Sequence, residues 1–253
     1  MPPDTAHRLI PRPAVLMSEA FFWGLVGGSS LVLGALIVFI REPARKALGL
    51  IMGFGAGVLL SAVSFELVDE ALTVAGGEGG TALGFFAGAL VFYAGDTAIA
   101  RIGKSDGEGE SGLSIVLGTV LDGVPESAVL GLILLQTGEV GISMLVAVFL
   151  SNLPESIAAS SSLLDSGWER SRVLALWTGV ALVSAVSAAA GYALLDGSST
   201  YTLAFVLAFA GGAILTMLST TMIPEAYEDV HRPVGLATTL GFAVALAINL
   251  LTA

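Results

Sequence analysis

Two stretches decide the fold: Leu121-Asp122-Gly123-Val124-Pro125-Glu126-Ser127 and, 29 residues later, Leu150-Ser151-Asn152-Leu153-Pro154-Glu155-Ser156. Each puts a proline and a carboxylate in the middle of an apolar run long enough to cross a bilayer. A helix interior in lipid tolerates neither without compensation. Two such interruptions, nearly identical and close in sequence, call for one explanation.

The surrounding composition sets the medium. The chain is 55% hydrophobic and only 12% charged, with a mean hydropathy of +0.89. A soluble domain carries about twice that charged fraction. The apolar runs have helical length, unlike the short alternating segments of a membrane barrel. The expected class is therefore an all-α membrane protein. Cysteine is absent, which excludes disulfides and thiolate metal sites. A net charge of −11 is no nucleic-acid signature. The 32 glycines suit close helix packing in lipid and allow a homodimer without specifying one. Residues 1–17 lack the apolar core of a signal peptide and read as a short extracytoplasmic tail.

Eight apolar runs lie near 18–40, 47–69, 81–100, 112–135, 139–164, 171–194, 201–223 and 234–252. Each has the ~20 residues needed to span with some tilt. Short connections leave no room for an inserted soluble domain, so 1–253 reads as a single transmembrane domain. Arg41, Arg45, Lys46, Arg101, Lys104, Arg170, Arg172 and Arg232 all fall on one side of an eight-span arrangement, with Arg8 and Arg12 as exceptions. The positive-inside rule makes that side cytoplasmic and places both termini outside the cell membrane. The acidic, glycine-rich loop 101–112 reads as a solvated linker. His7 and His231, the two histidines, read as surface residues.

A longer repeat surrounds the short one. Residues 53–71 and 208–226 align at an offset of 155: Phe54 with Phe209, Gly57 with Gly212, Ser64 with Ser219, Glu70 with Glu225 and Ala71 with Ala226. These are the second and seventh spans, which cross in opposite directions. That is the pattern of an inverted repeat, spans 1–3 relating to 6–8 around 4 and 5. Such repeats make two states of similar energy open to opposite sides, with a site at the midplane.

Depth and spacing define that site. Glu126 lies about 14 residues into its run and Glu155 about 16 into its own, so at ~1.5 Å per residue both sit near mid-membrane. An isolated carboxylate there costs roughly 2.5–3.5 kcal/mol or more. No Lys, Arg or His lies deep inside any span, which leaves protonation or an external cation. Asp122 and Glu126 share a helix face at i,i+4, as do Ser151 and Glu155, with Asn152 and Glu155 at i,i+3. Pro125 and Pro154 leave the carbonyls of Leu121 and Leu150 without their helical donors. Asp122, Glu126, Asn152, Glu155 and Ser151 thus offer the all-oxygen donor set that a divalent cation takes.

These motifs resemble the ZIP family (Zrt/Irt-like proteins) of divalent-metal transporters, in its prokaryotic form. The family's fourth helix typically reads His-Asn-x-Pro-Glu-Gly and its fifth is similar. Here Asp122 to Ser127 and Ser151 to Ser156 match in register. Gly55-Ala56-Gly57-Val58-Leu59-Leu60-Ser61, the run 84–90 and Met222-Ile223-Pro224-Glu225-Ala226 also look like the family's. The resemblance covers nearly the whole chain.

The departures concern the ligands. Asp122 stands where the family has a metal-binding histidine and Gly123 where it has asparagine. Ser151 replaces the usual His or Gln. Ser184 and Ala185 replace a Glu-Pro of helix six, and Thr220-Thr221 a His-Glu of helix seven. The resemblance thus implies one degenerate site in place of a binuclear one. Losing imidazole implies a weaker preference for Zn²⁺ and a shift towards Mn²⁺ or Fe²⁺.

The expected function is a transporter moving Zn, Fe or Mn ions into the cytoplasm, with the metal as cargo and no cofactor. The resemblance implies that helices 1, 4, 5 and 6 move against 2, 3, 7 and 8. The alternative is a non-transporting metal sensor or scaffold. A proton or organic-cation carrier is a third reading. An enzyme is not expected, since no span holds a histidine or a nucleophile–base pair. Glu66, followed by Asp69 and Glu70, reads either as an acidic helix end or as a cation-gathering entrance. Asp96 either snorkels to water or lines an exit path. Glu225, Glu228 and Asp229 read as an acidic loop.

Overall fold

A computed structural model describes residues 13–75, 80–105 and 112–252. His7, Arg8 and Arg12 of the tail, and residues 106–111 of the acidic loop, lie outside the described residues. Among the described residues, eight helices of membrane length run as α1 (Pro13–Ile40), α2 (Arg45–Ala75), α3 (Gly80–Ser105), α4 (Gly112–Thr137), α5 (Ile142–Asp165), α6 (Arg170–Leu195), α7 (Thr200–Val230) and α8 (Pro233–Thr252). No strand occurs among them. The fold class read from the apolar pattern is the observed one.

Four boundaries differ from the hydropathy reading. α3 runs on to Ser105, so residues 101–105 of the stretch read as a solvated linker are helical. α1 reaches back to Pro13, into the stretch read as tail; proline is pre-set for the first helical position. α2 and α7 continue to Ala75 and Val230 through charged residues, because charge lowers hydropathy without breaking the helical hydrogen-bond ladder. Glu225, Glu228 and Asp229 are therefore helical, not a loop. The extension Asp69–Ala75 packs on α7, and Ile223–Val230 packs on α2, burying Ala71 and Ala226 completely.

Each long helix contains a wider turn. Val63–Val68 of α2 and Leu218–Met222 of α7 are π-helical, and their first residues are 155 apart. The Ser64 hydroxyl donates to the Leu60 carbonyl at 2.8 Å and the Ser219 hydroxyl to the Leu215 carbonyl at 2.8 Å. Both serines engage an i−4 carbonyl that the backbone ladder also uses, which loosens the ladder locally.

Packing sorts the helices into two groups. α1 packs on α4, α5 and α6, and α4 on α6, while α7 packs on α2 and α3, and α2 on α8; α4 meets α5 and α2 meets α3 only lightly, and the broadest contact between the two groups is α2 on α5. Exchanging 1 with 6, 2 with 7, 3 with 8 and 4 with 5 carries α3–α7 onto α8–α2 and α4–α6 onto α5–α1. Glycines set the close crossings within groups. A Cβ on Gly57 would overlap the Thr238 carbonyl and one on Gly241 that of Phe54; Gly212 and Gly88 stand likewise against Phe85 and Phe209. Gly131 and Gly191 do the same between α4 and α6, against Ala188 and Ala128. Small residues at these crossings let the backbones approach closely.

The larger core joins α2, α4, α5 and α7 through Leu59, Leu67, Leu130, Met144 and Ile214. A smaller one surrounds Trp177, whose indole donates to the Ser160 hydroxyl at 2.8 Å. α3 and α8 lie outermost and expose Leu83, Phe86, Leu90, Leu236 and Leu240, a surface suited to hydrocarbon. The site helices end cleanly: Gly138 after α4 and Gly167 after α5 take the left-handed conformation at φ +73° and +86°.

Candidate functional site

α4 and α5 both continue through their prolines. This sets Pro125-Glu126 and Pro154-Glu155 on two neighbouring helices of one group. Glu126 is only 1% exposed, and so are Ser151 and Asn152. The Ser151 hydroxyl faces Glu126 Oε2 at 3.3 Å and the Val148 carbonyl at 3.0 Å. It has one proton for two acceptors, so Glu126 is held only in part. Glu126 Oε1 and Asn152 Nδ2 are buried without a hydrogen-bond partner. Buried polar atoms of that kind are rare and call for an explanation.

Asp122 and Glu155 are half-buried. Asp122 acts electrostatically on Glu126 and Glu155, and Glu126 on Glu155. Two further carboxylates join from the other group: Asp96 of α3 acts on Asp122, and Glu225 of α7 acts on both Asp122 and Glu155. Like charges this deep in a low-dielectric interior repel strongly. Small residues bring the pieces together. A Cβ on Gly95 would meet Leu121 at 3.2 Å, and one on Gly55 would sit 3.0 Å from the Leu150 carbonyl and 3.2 Å from the Met222 methyl. The carbonyl that Pro154 leaves without a helical donor thus faces Gly55 of α2.

Among the described residues, no three acidic or imidazole side chains converge tightly enough to form a ready coordination sphere. The carboxylates are neighbours, not chelators, in this conformation. Where the resemblance implies lost ligands, two of the substituted positions face each other: a Cβ on Gly123 would have one neighbour within 4 Å, the Ser184 hydroxyl at 3.8 Å, and Ser184 is itself buried.

Glu66 lies apart from this cluster. It sits on the π-helical turn of α2 against the start of α5, where a Cβ on Gly141 would stand 3.0 Å from Glu66 Oε2, an oxygen buried without a hydrogen-bond partner. Asp96 sits well inside α3, which runs on to Ser105, so it is more than two turns from the helix end. Glu225 is the residue that sequence reasoning misplaced. Its signal was present, since Pro224-Glu225 repeats the Pro-Glu pair a third time.

Eight membrane-length helices around buried carboxylates define a multi-pass membrane protein with an acidic interior. No protein-family model matches the chain. A segment of 89 residues is 38% identical to the protein named zinc transporter ZTP29 of Arabidopsis thaliana, a match that covers 35% of this chain and 29% of that protein. The chain thus spans less than a third of the length of this relative.

Proposed function

We propose that the chain carries divalent metal cations through the membrane by alternating access to a carboxylate-rich site between α4 and α5. One observation carries the reading: Glu126, buried and only partly held by Ser151, keeps one oxygen unpartnered, and the amide nitrogen of Asn152, the residue after Ser151, is buried and unpartnered too. A cation satisfies such a pair, with the amide turned to present its oxygen. Asp122, Glu126 and Glu155 supply charge, and Asn152 and Ser151 neutral oxygens. Rotation of these side chains brings them onto one ion. The partial similarity to a protein named a zinc transporter supports a metal as cargo. The family read from the motifs remains ZIP, with Zn²⁺, Fe²⁺ or Mn²⁺ entering the cytoplasm and both termini outside the cell.

The paired π-helical turns, the exchanged packing and the matched glycine crossings support an inverted repeat and two groups that rock against each other. Flux into liposomes tests the reading. A Glu126→Gln/Glu155→Gln double variant that still takes up metal at the parent rate sinks it. The second reading, a non-transporting metal sensor or scaffold, is favoured by the lack of three converged ligands among the described residues. Metal binding by calorimetry without flux from the same preparation selects it.

A further inference from the structure

The ends of α1, α5 and α6 meet at one boundary of the membrane-length helices. Ile40 closes the span of α1, Asp165 closes that of α5, and Arg170 opens that of α6. Phe39 lies in the last turn of α1 and Trp168 in the short connection from α5 to α6. Both are half-buried and pack against the same small core around Trp177. That core fixes the two rings, since Trp177 is sealed and its indole is held by Ser160.

Each ring carries an arginine. The Arg170 guanidinium stands 5.5 Å over the Phe39 ring centroid, and that of Arg172 3.8 Å over the Trp168 ring. Both arginines are exposed, as is Arg41, two residues beyond Phe39. Stacking occupies the flat face of a guanidinium and leaves its in-plane N–H groups available to donate. Two nearby carboxylates are engaged by serines: Glu42 accepts from the Ser161 hydroxyl at 2.6 Å and Glu169 from the Ser171 hydroxyl at 3.3 Å. Among the described residues, neither guanidinium has an ion-pair partner. Glu42, Asp165 and Glu169 balance Arg41, Arg170 and Arg172 in number, so the geometry of the stacked forks selects a ligand here, not net charge. Planar forks of this kind match the paired oxygens of a phosphodiester. A half-buried tryptophan beside them suits the layer between water and hydrocarbon.

We propose that this corner binds the headgroup phosphate of an anionic phospholipid. The lipid docks the ends of α1, α5 and α6 at the headgroup layer, in the helix group that holds both Pro-Glu copies. A zwitterionic headgroup fits less well, because its own ammonium competes for the phosphate and meets the stacked guanidiniums with like charge. The inference needs the membrane-spanning fold and not the transport reading.

Native mass spectrometry of the full chain in a neutral detergent tests it, by titration with phosphatidylglycerol, phosphatidylcholine and free glycerol phosphate. The first phosphatidylglycerol is expected to bind about tenfold tighter than phosphatidylcholine, and glycerol phosphate more weakly than either. Arg170→Gln/Arg172→Gln should weaken phosphatidylglycerol binding roughly tenfold. Arg170→Lys/Arg172→Lys keeps the charge but not the fork, and should weaken it a few-fold. The lysine pair carries the test if the glutamine pair does not fold. Arg232→Gln, in the α7–α8 connection of the other group, should leave binding unchanged. Equal affinity for the two lipids, an unchanged affinity in the glutamine pair, or an equal loss in Arg232→Gln overturns the site. A lysine pair as tight as the parent overturns the stacked forks as its basis. Glycerol phosphate binding as tightly as phosphatidylglycerol assigns the corner to a soluble phosphate and overturns the lipid.

Discussion

The two Pro-Glu-Ser copies have one sequence pattern and two environments. In α4 the glutamate is sealed, Glu126 at 1% exposure, while its i−4 partner Asp122 is half-buried. In α5 the order is reversed: Ser151 and Asn152 are sealed and Glu155 is half-open. The serines that end the copies differ too. Ser127 Oγ is buried without a partner, whereas the Ser156 hydroxyl bonds the Leu153 carbonyl at 2.9 Å, against α1. One copy thus contributes a sealed carboxylate, and the other sealed neutral oxygens plus a half-buried carboxylate. The two halves are complementary, not interchangeable, and the residue pairs before each proline make them so.

Four experiments break or sharpen that contrast. Glu126→Gln keeps shape and an acceptor for Ser151 but removes the deep charge. Liposome uptake should fall roughly 100-fold or more, beyond the 10–100-fold typical of losing a metal ligand's outer partner. Glu155→Gln should cost less, because that carboxylate is only half-buried; equal losses would make the copies equivalent. Next is the packing behind them. Gly131→Ala drives a Cβ into the backbone carbonyl of Ala188 and should cost about 1–3 kcal/mol of stability, read as a lower Tm in detergent. Gly34→Ala, behind the α5 copy, meets the movable Ser156 hydroxyl and the Leu153 carbonyl at 2.9 Å, and should cost less. Third, Asp122→His adds imidazole to the α4 copy. Competition uptake should shift towards Zn²⁺ over Mn²⁺ by about tenfold; a parent that already ranks Zn²⁺ far ahead refutes the selectivity argument. The smallest effect belongs to Ser151→Ala, which removes a long, shared hydrogen bond. It should change stability by about 1 kcal/mol or less and weaken metal affinity a few-fold.

Much of the molecule was legible in the linear chain. Eight runs of membrane length stand out because lipid demands unbroken apolar helices, and Asp122, Glu126 and Glu155 because a deep carboxylate has no innocent explanation in hydrocarbon. The 155-residue offset also points to Val63–Val68 and Leu218–Met222, whose serines, Ser64 and Ser219, are already paired in the alignment. The ends of α2 and α7 were not legible, since hydropathy falls where charge begins while the helix continues. Glu225 was lost with that boundary. Its closeness to Asp122 and Glu155 depends on how α7 crosses the site helices, which no local pattern encodes.

The sequence by itself determined the medium and the number of long apolar helices, because both follow from local composition. Only the tertiary structure decided which oxygens meet: Ser151 with Glu126, Asp96 and Glu225 beside Asp122, and Glu66 with the start of α5. Those contacts join residues from 25 to more than 100 positions apart. They exist because glycines let particular helix backbones approach and because two π-helical turns redirect the side chains beyond them. Both are consequences of packing, and become visible only when the helices are assembled.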